Sequence, residues 1–376
     1  MNIESIYLKN FRNYEELSIK LSPGINIIFG ENAQGKTNIL ESIYLLSMGK
    51  SYRTQKYNEM IKWDKDKCKI FIDYNKDNIK GNIDFFISKT KKKQIKINGI
   101  NVEKLSDILG RINTVMFSPE HIKIIKEGPA ERRKFIDAIL SQIKPSYYYN
   151  LIQYLKVLGQ RNILLSDDKR KKELKNTLDV WDIQLIEYGS KIMEDRYIFI
   201  KKIRKTAKMI NNQLSGGNEN LVLKYKPSVS IYDYSRENIK ESYESVIKKG
   251  RFIDIKRGNT NWGPHRDELI FSIGEKELRN FGSQGQQRSA LLSLKLAETI
   301  FIKDETGTTP VLLLDDVFSE LDNNRRGYLL DYMKDIQVIL TCTDLKNLKL
   351  ENVINPTFFY VKNAKVERIE SDKIKL

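Results

Sequence analysis

The chain has 376 residues, 30% charged and 40% hydrophobic, enough apolar material for two lobes with cores of their own. Lys plus Arg exceed Asp plus Glu by 65 − 49 = 16, which favours an anionic partner such as nucleic acid or a nucleotide, although the predominance of Lys with abundant Ile and Asn also fits genomic base bias. Two cysteines far apart, Cys68 and Cys342, exclude a disulfide framework or zinc knuckle, and the absence of a long apolar run or signal segment predicts a soluble, cytoplasmic protein with no membrane partner.

Residues 3–29 read as strands: Ile3, Ile6 and Leu8 alternate loosely, NFRNY at 10–14 is turn-like, and Ile25 to Phe29 is a buried apolar run. A helical pattern follows at Ile39, Ile43 and Leu46. From 67 to 102 the segments KIFIDY, GNIDFFIS and QIKINGI predict antiparallel strands, with Lys91-Lys92-Lys93 at a solvated hairpin tip. Helical stretches then dominate, at 131–143, 145–166, 170–213 and 236–249. Residues 121–256 hold 28 basic and 17 acidic side chains, a net of 28 − 17 = +11, which leaves 16 − 11 = +5 for the rest. That concentration fits either a docking face for an anion or an ordinary solvated helical surface. No heptad persists over several repeats, so long coiled-coil arms are not expected. Beyond 257 strands return at 268–273, 310–314 and 337–342, with helices at 284–303 and 322–334. The expected architecture is an α/β lobe, discontinuous in sequence (1–119 and 257–376), split by a mainly helical insert at 120–256.

Gly30-Glu31-Asn32-Ala33-Gln34-Gly35-Lys36-Thr37, followed by Asn38, fits G-x-x-x-x-G-K-[ST] between an apolar strand and an amphipathic helix. The glycines let successive N–H groups curl toward a β-phosphate, and the helix N-terminus adds partial positive charge. Lys36 supplies a mobile cation for the β and γ oxygens, and the Thr37 hydroxyl suits Mg²⁺. The prediction is a nucleoside triphosphate site that takes ATP with Mg²⁺. Val311 to Leu314 then deliver Asp315 and Asp316 at a strand end. Asp315 suits the metal, and Asp316 suits orienting or deprotonating an attacking water. Ser283-Gln284-Gly285-Gln286 opens another helix and makes a second anion-receptive N-terminus. A cap needs only Ser283. One phosphate loop already covers the phosphates, so a second nest suggests a site shared between two subunits.

SQGQQRS at 283–289 resembles the signature motif of the ATP-binding-cassette ATPases, and LLLDDVFSELD at 312–322 their second Walker motif with its D-loop. The wording is similar to that of the RecF family, bacterial recombination-repair ATPases related to SMC heads. Matching segments run in family order along nearly the whole chain: NFRNY at 10–14, GKSYRT at 49–54, FSPEHIKIIKEGPAERRKFID at 117–137, QRNILL at 160–165, GPHRDEL at 263–269 and QVILTCTD at 337–344. The resemblance implies an ABC/SMC-like P-loop ATPase lobe with an inserted helical lobe. It implies ATP held head to tail, Lys36 and Thr37 of one subunit facing Ser283 and Gly285 of the other. Asp316 would stand where the wider superfamily places Glu, one methylene longer, which fits slow hydrolysis acting as a timer. Arg53 resembles the arginine that approaches the phosphates in SMC-like heads, or else faces solvent or DNA. Arg12 and Asn13 line the adenine side or simply make a turn. The transporter Gln and His are missing, from Phe117-Ser118-Pro119-Glu120 and from Cys342-Thr343-Asp344, leaving Glu120 and Thr343 as candidate γ-phosphate sensors. His265 is either a structural hydrogen-bonding residue or part of a site.

By resemblance the function is an ATP-dependent DNA-binding switch of recombinational repair, with weak DNA-dependent ATPase activity. ATP would close a homodimer on duplex or gapped DNA and hydrolysis would reopen it. RecR and RecO would be partners, and RecA loading the outcome. The alternatives are the head of another SMC-like complex, which needs long arms, a transporter-energising subunit, which needs the missing Gln and His, or an ATPase with no DNA role.

Overall fold

A computed structural model describes residues 1–166, 174–345, 355–370 and 372. Its strands are β1 (Asn2–Phe11), β2 (Tyr14–Lys20), β3 (Ile25–Phe29), β4 (Lys67–Lys76), β5 (Ile79–Ser88), β6 (Gln94–Ile97), β7 (Ile100–Val102) and β8 (Thr114–Phe117). These are followed by β9 (Leu221–Lys226), β10 (Glu268–Ile273), β11 (Lys276–Glu277), β12 (Val311–Asp315), β13 (Val338–Cys342), β14 (Thr357–Lys362) and β15 (Lys365–Ile369). The helices are α1 (Lys36–Met48), α2 (Lys123–Lys126), α3 (Pro129–Ile143), α4 (Pro145–Ser166), α5 (Leu174–Leu214), α6 (Arg236–Arg257), α7 (Leu278–Phe281), α8 (Gln284–Thr306) and α9 (Asn323–Tyr332). Residues 170–173 of the helix expected at 170–213 lie outside the described residues. The chain divides into two compact units, Met1–Ile122 with Leu291–Leu376, and Lys123–Ala290.

In the first unit, β3, β12 and β13 are nearly unbroken apolar runs (INIIF, VLLLD, VILTC), the pattern of strands covered on both faces. They lie in a six-stranded sheet ordered β15-β14-β3-β13-β12-β8. Five of its strands are parallel, and β15 returns antiparallel along the edge. The β14–β15 hairpin was not foreseen, although TFFYVK and KVERI flank Asn363-Ala364, both at positive φ (48° and 56°) as such a tight turn requires. The other sheet, β2-β1-β4-β5-β6-β7, is antiparallel and alternates: Cys68, Ile70, Ile72 and Tyr74 of β4 point inward. Helix α1 contributes Ile39, Leu40, Ile43, Leu45 and Leu46 to one buried cluster with both sheets. A helix apolar around most of its circumference belongs inside a structure. The parallel register places Asp315 beside Thr341 and Cys342 beside Phe29, so β3, β12 and β13 all end on one edge.

The second unit packs α3 to α6 with a three-stranded sheet, β11-β10-β9. LVLKYK of β9 alternates buried and exposed, a strand signal that the helical reading of this region passed over. Buried arginines organise the interior. Arg161, in the QRNILL segment, is fully buried and donates to Asp182 (2.7 Å), Asp254 (2.7 Å) and the Thr260 hydroxyl (2.8 Å). Asp254 is 0% exposed and accepts from Asn261 through its other oxygen. Removing one partner of such a pair strands a buried charge, at a cost of about 3–5 kcal/mol. Arg161→Ala is therefore expected to lower the urea midpoint of the second unit sharply. Fluorescence of Trp181 and Trp262, both in that unit, would report it, and an unchanged midpoint would contradict the role given to Arg161.

Candidate functional site

A cleft of about 420 Å³ opens where β3 and β12 end, lined by the phosphate-loop residues Asn32, Ala33, Gly35, Lys36 and Thr37 with Asp315, Asp316 and Thr341. Asn13, Asn38, Arg53 and Pro119 form its rim. Both loop glycines are required. Gly30 has φ +150, and a Cβ there would lie 2.3 Å from the Val361 carbonyl oxygen of β14. Gly35 has φ +114, and its Cβ would meet Asn13 Nδ2 at 2.6 Å and Tyr14 Oη at 2.9 Å. The loop is thus pressed between the β1–β2 turn and the C-terminal hairpin, whose Asn363 N–H donates to Gln34 Oε1 (2.6 Å).

Lys36 Nζ folds back over the loop and donates to the carbonyl oxygens of Gly30 (2.6 Å) and Glu31 (2.7 Å). Burial lowers its pKa, opposed by the negative charges of Asp316 and Asp315. Asp315 Oδ1 accepts from Thr37 Oγ1 (2.8 Å) and Thr341 Oγ1 (2.7 Å). Asp316 has φ +51, in the left-handed region, and its N–H donates to Thr341 Oγ1 (3.1 Å). Burial, then repulsion from Asp315, raises the Asp316 pKa, offset by Lys36 and the Ser319 hydroxyl. Among the described residues no three His, Cys, Asp or Glu side chains cluster as a metal cage. Thr37 and Asp315 supply two adjacent hard oxygens, a donor set that fits Mg²⁺ completing its shell with phosphate and water.

The rim depends on a carboxylate that sequence reading missed. Glu41, on α1 and 0% exposed, accepts from Arg12 Nε (2.9 Å) and NH2 (2.5 Å), from Ser51 Oγ (2.5 Å) and from Arg53 NH1 (3.3 Å). Arg12 itself sits in the turn at φ +54. Arg53 also donates to Asn38 Oδ1 (2.8 Å), Asn38 donates to Asn13 Oδ1 (2.8 Å), and Asn13 donates to the Gln34 carbonyl (3.0 Å). This chain ties Arg53 to the phosphate loop.

The remaining candidates fall elsewhere. Ser283 and Gln286 cap α8 reciprocally: the Ser283 N–H donates to Gln286 Oε1 (3.0 Å) and the Gln286 N–H to Ser283 Oγ (3.2 Å). The S-x-x-Q spacing is a capping box, so the cap uses Gln286 as well as Ser283, more than the one residue expected. Ser283 and Gln284 remain exposed. Thr343 is exposed, and it is Thr341, two residues earlier, that faces the cleft. Glu120 is exposed beside the rim residue Pro119. His265 is held by the Tyr154 hydroxyl at Nδ1 (2.6 Å) and the Thr260 carbonyl at Nε2 (3.0 Å). Cys342 is buried in β13, where burial pushes its thiol up to about 12.

The RecF/RecN/SMC N terminal domain family matches residues 2–365. The chain is 47% identical over 345 residues to the DNA replication and repair protein RecF of Acetivibrio thermocellus, covering 92% of this chain and 94% of that one. It is 43% identical over 374 residues to the RecF of Clostridium perfringens, covering 100% and 99%. A solved structure of the recombination mediator protein RecF with ATP, described within the RecFOR pathway, superposes with a TM-score of 0.90 at 36% identity, covering 98% of this chain and 97% of that one. An Smc head bound to the C-terminal winged-helix domain of ScpA gives a TM-score of 0.57 at 18% identity, covering 99% of each chain, a likeness of fold.

Two titrations follow from the geometry. Because the folded Asp316 pKa is raised, its ionisation costs stability above the ordinary Asp range and the cost vanishes as pH falls. Asp316→Asn should therefore melt about 1–3 °C higher at pH 7 and lose that advantage near pH 4; a lower melting temperature at pH 7 would refute the repulsion. Burial lowers the His265 pKa to about 4, so the fold holds the ring neutral. Its stabilising effect is complete above about pH 6.5 and is lost toward pH 4, up to about 3 kcal/mol. His265→Asn should flatten the second unit's stability profile in that window, measured by urea unfolding at each pH.

Proposed function

The chain belongs to the RecF family, and from that premise we propose that it is an ATP-binding DNA repair protein of the RecFOR pathway, in which nucleotide switches attachment to DNA. The observation that carries this reading is the joining of Lys36, Thr37 and Asp315 at the end of the parallel sheet, with Asp316 next in the chain. It is supported by the ATP-bound RecF relative of closely similar fold.

In this reading the loop N–H groups from Asn32 to Thr37 cradle the β-phosphate, and Lys36 exchanges its carbonyl partners for phosphate oxygens. Thr37 and Asp315 hold Mg²⁺, which when bound neutralises charge on the β and γ oxygens. Arg53, steadied by Glu41 and Asn38, approaches the phosphates from the rim. Asp316 orients the attacking water and takes its proton, and its raised pKa brings it nearer a working base. The start of α8, Ser283 to Gln286, with Ser283 and Gln284 exposed, serves the nucleotide of a second copy, so ATP bridges two chains and favours the closed dimer. Hydrolysis removes the bridging contacts and the dimer opens. This is a weak ATPase used as a switch, with duplex and gapped DNA as ligand, RecO and RecR as partners and RecA loading as the outcome.

The test is anisotropy of labelled gapped and plain duplexes with ATP, with ADP and with neither, across a salt series. Binding should need ATP and fall steeply with salt. Lys36→Ala should remove nucleotide binding with the fold intact. Ser283→Arg should bind ATP at about the wild-type level yet fail to dimerise and lose at least tenfold in DNA affinity. Nucleotide-indifferent DNA binding, or an unimpaired ATP-driven dimer of the Ser283 variant, would refute the switch.

A further inference from the structure

Two segments that ATP chemistry leaves unused, 129–137 and 263–269, converge within the second unit on three arginines. Arg132 grips Glu268 through Nε (2.7 Å) and NH2 (3.0 Å) and gives NH1 to the carbonyls of Ile124 and Glu127. Arg196 donates to Asp137 (2.8 Å), to the Asp267 carboxylate (3.2 Å) and to the Pro264 carbonyl (2.6 Å). Asp267 also accepts from the Tyr225 hydroxyl and from the Ser228 N–H (3.0 Å). Glu268 and Asp267 are therefore committed through both oxygens, and Asp137 Oδ1 takes the Tyr147 hydroxyl as well as Arg196. Arg133 donates only to the backbone oxygen of Asp267 (2.8 Å), and among the described residues it makes no ion pair.

Arg133 opens onto a cleft of about 200 Å³ walled by Leu151, Leu155, Tyr154 and His265. The histidine cannot share the charge: both ring nitrogens are engaged, and burial keeps the ring neutral. Beyond the cleft, α4 continues outward with Leu155, Ile152 and Tyr149 exposed by 48%, 43% and 57%. A half-buried guanidinium that makes no direct ion pair, with the Asp267, Glu268 and Asp137 carboxylates acting on it only at longer range, thus lies beside an apolar wall that leads into solvent.

We propose that this cleft docks an acidic segment of a partner protein, a Glu or Asp carboxylate pairing with Arg133 while the adjoining aliphatic side chain lies on Leu151 and Leu155. The planar fork of a guanidinium matches a carboxylate in two-point contact. The apolar wall favours a peptide over a nucleic acid strand. Burial, and then the charge of Arg196, lowers the Arg133 pKa, and Asp267, Glu268 and Asp137 offset this only in part. Its lining residues all belong to the second unit and none lines the nucleotide cleft, so the proposal does not rest on the ATP reading.

The experiment uses the full chain without nucleotide and a fluorescein-labelled peptide, Gly-Ser-Glu-Leu-Leu-Ser-Gly, in anisotropy titrations at low salt. Replacing the peptide Glu by Gln should weaken binding at least tenfold, and Arg133→Gln should do the same for the Glu peptide while leaving the Gln peptide unchanged. Leu155→Glu, at an exposed position that tolerates charge, should also weaken the Glu peptide at least tenfold, and it decides the matter if the Arg133 variant fails to fold. ATP binding by both variants should stay at the wild-type level. The proposal is overturned by equal binding of the two peptides, by wild-type affinity in either variant, or by no binding up to millimolar peptide. Displacement of the peptide by inorganic phosphate or a short single-stranded oligonucleotide at lower concentration would also overturn it, in favour of a phosphate site.

Discussion

A single carboxylate oxygen, Asp315 Oδ1, accepts hydrogen bonds from two hydroxyls carried by different elements, Thr37 at the start of α1 and Thr341 in β13. That shared acceptor fixes the first turn of the phosphate-loop helix against the sheet edge from which the loop emerged. It works only because β3, β12 and β13 are parallel and in register, so that all three end together and a crevice forms beyond their C-terminal ends. The same register leaves the next residue little freedom. The Asp316 N–H is held at Thr341 and its backbone turns left-handed. Two adjacent acids thereby acquire different surroundings, one committed to hydroxyl donors and one with a raised pKa. Division of labour between neighbouring carboxylates begins with such a difference.

A second buried carboxylate does for the rim what Asp315 does for the floor. Burying Glu41 fully would be costly for a lone ion, and it is offset by Arg12 in two-point contact, by Ser51 and by Arg53. The arrangement joins the β1–β2 turn, α1 and the segment at 51–53. It also holds Arg12 at its positive φ, a strained conformation that persists where the surrounding structure over-determines it.

Local chemistry was legible in the sequence and register was not. The phosphate loop could be read because its geometry is written in eight consecutive residues, and Gly30 and Gly35 take the backbone conformations their positions demand. The unbroken apolar runs before Asp315 and before Gly30 likewise pointed to buried parallel strands. Thr341 was out of reach because its partner is 26 positions away and only the pairing of β12 with β13 brings them together. Thr343, nearer the end of the segment, drew attention instead. Glu41 looked like one polar residue in an apolar helix, since its arginines lie 29 and 12 positions off. Gln286 shows the opposite error: its capping role was written in the S-x-x-Q spacing, but the surrounding glutamines suggested ligand contacts alone.

The charge of the helical region bears on how any anion finds this protein. Between residues 121 and 256 the buried charged side chains among the described residues are Arg132, Arg161 and Arg196 against Asp182, Asp195 and Asp254. Burial withdraws equal numbers of each sign, so the net of 28 − 17 = +11 is not consumed by internal pairing. Much of it is concentrated: Lys201, Lys202, Arg204, Lys205 and Lys208 are all exposed on two turns of α5, with no acidic residue among them. Exposed charge of this kind acts over about one Debye length, roughly 8–10 Å at physiological salt, and raises encounter rates more than it fixes a binding register. Register needs an ion held in place and short of a partner. In this region Arg133 meets that condition, because its neighbours have already taken the carboxylates within reach.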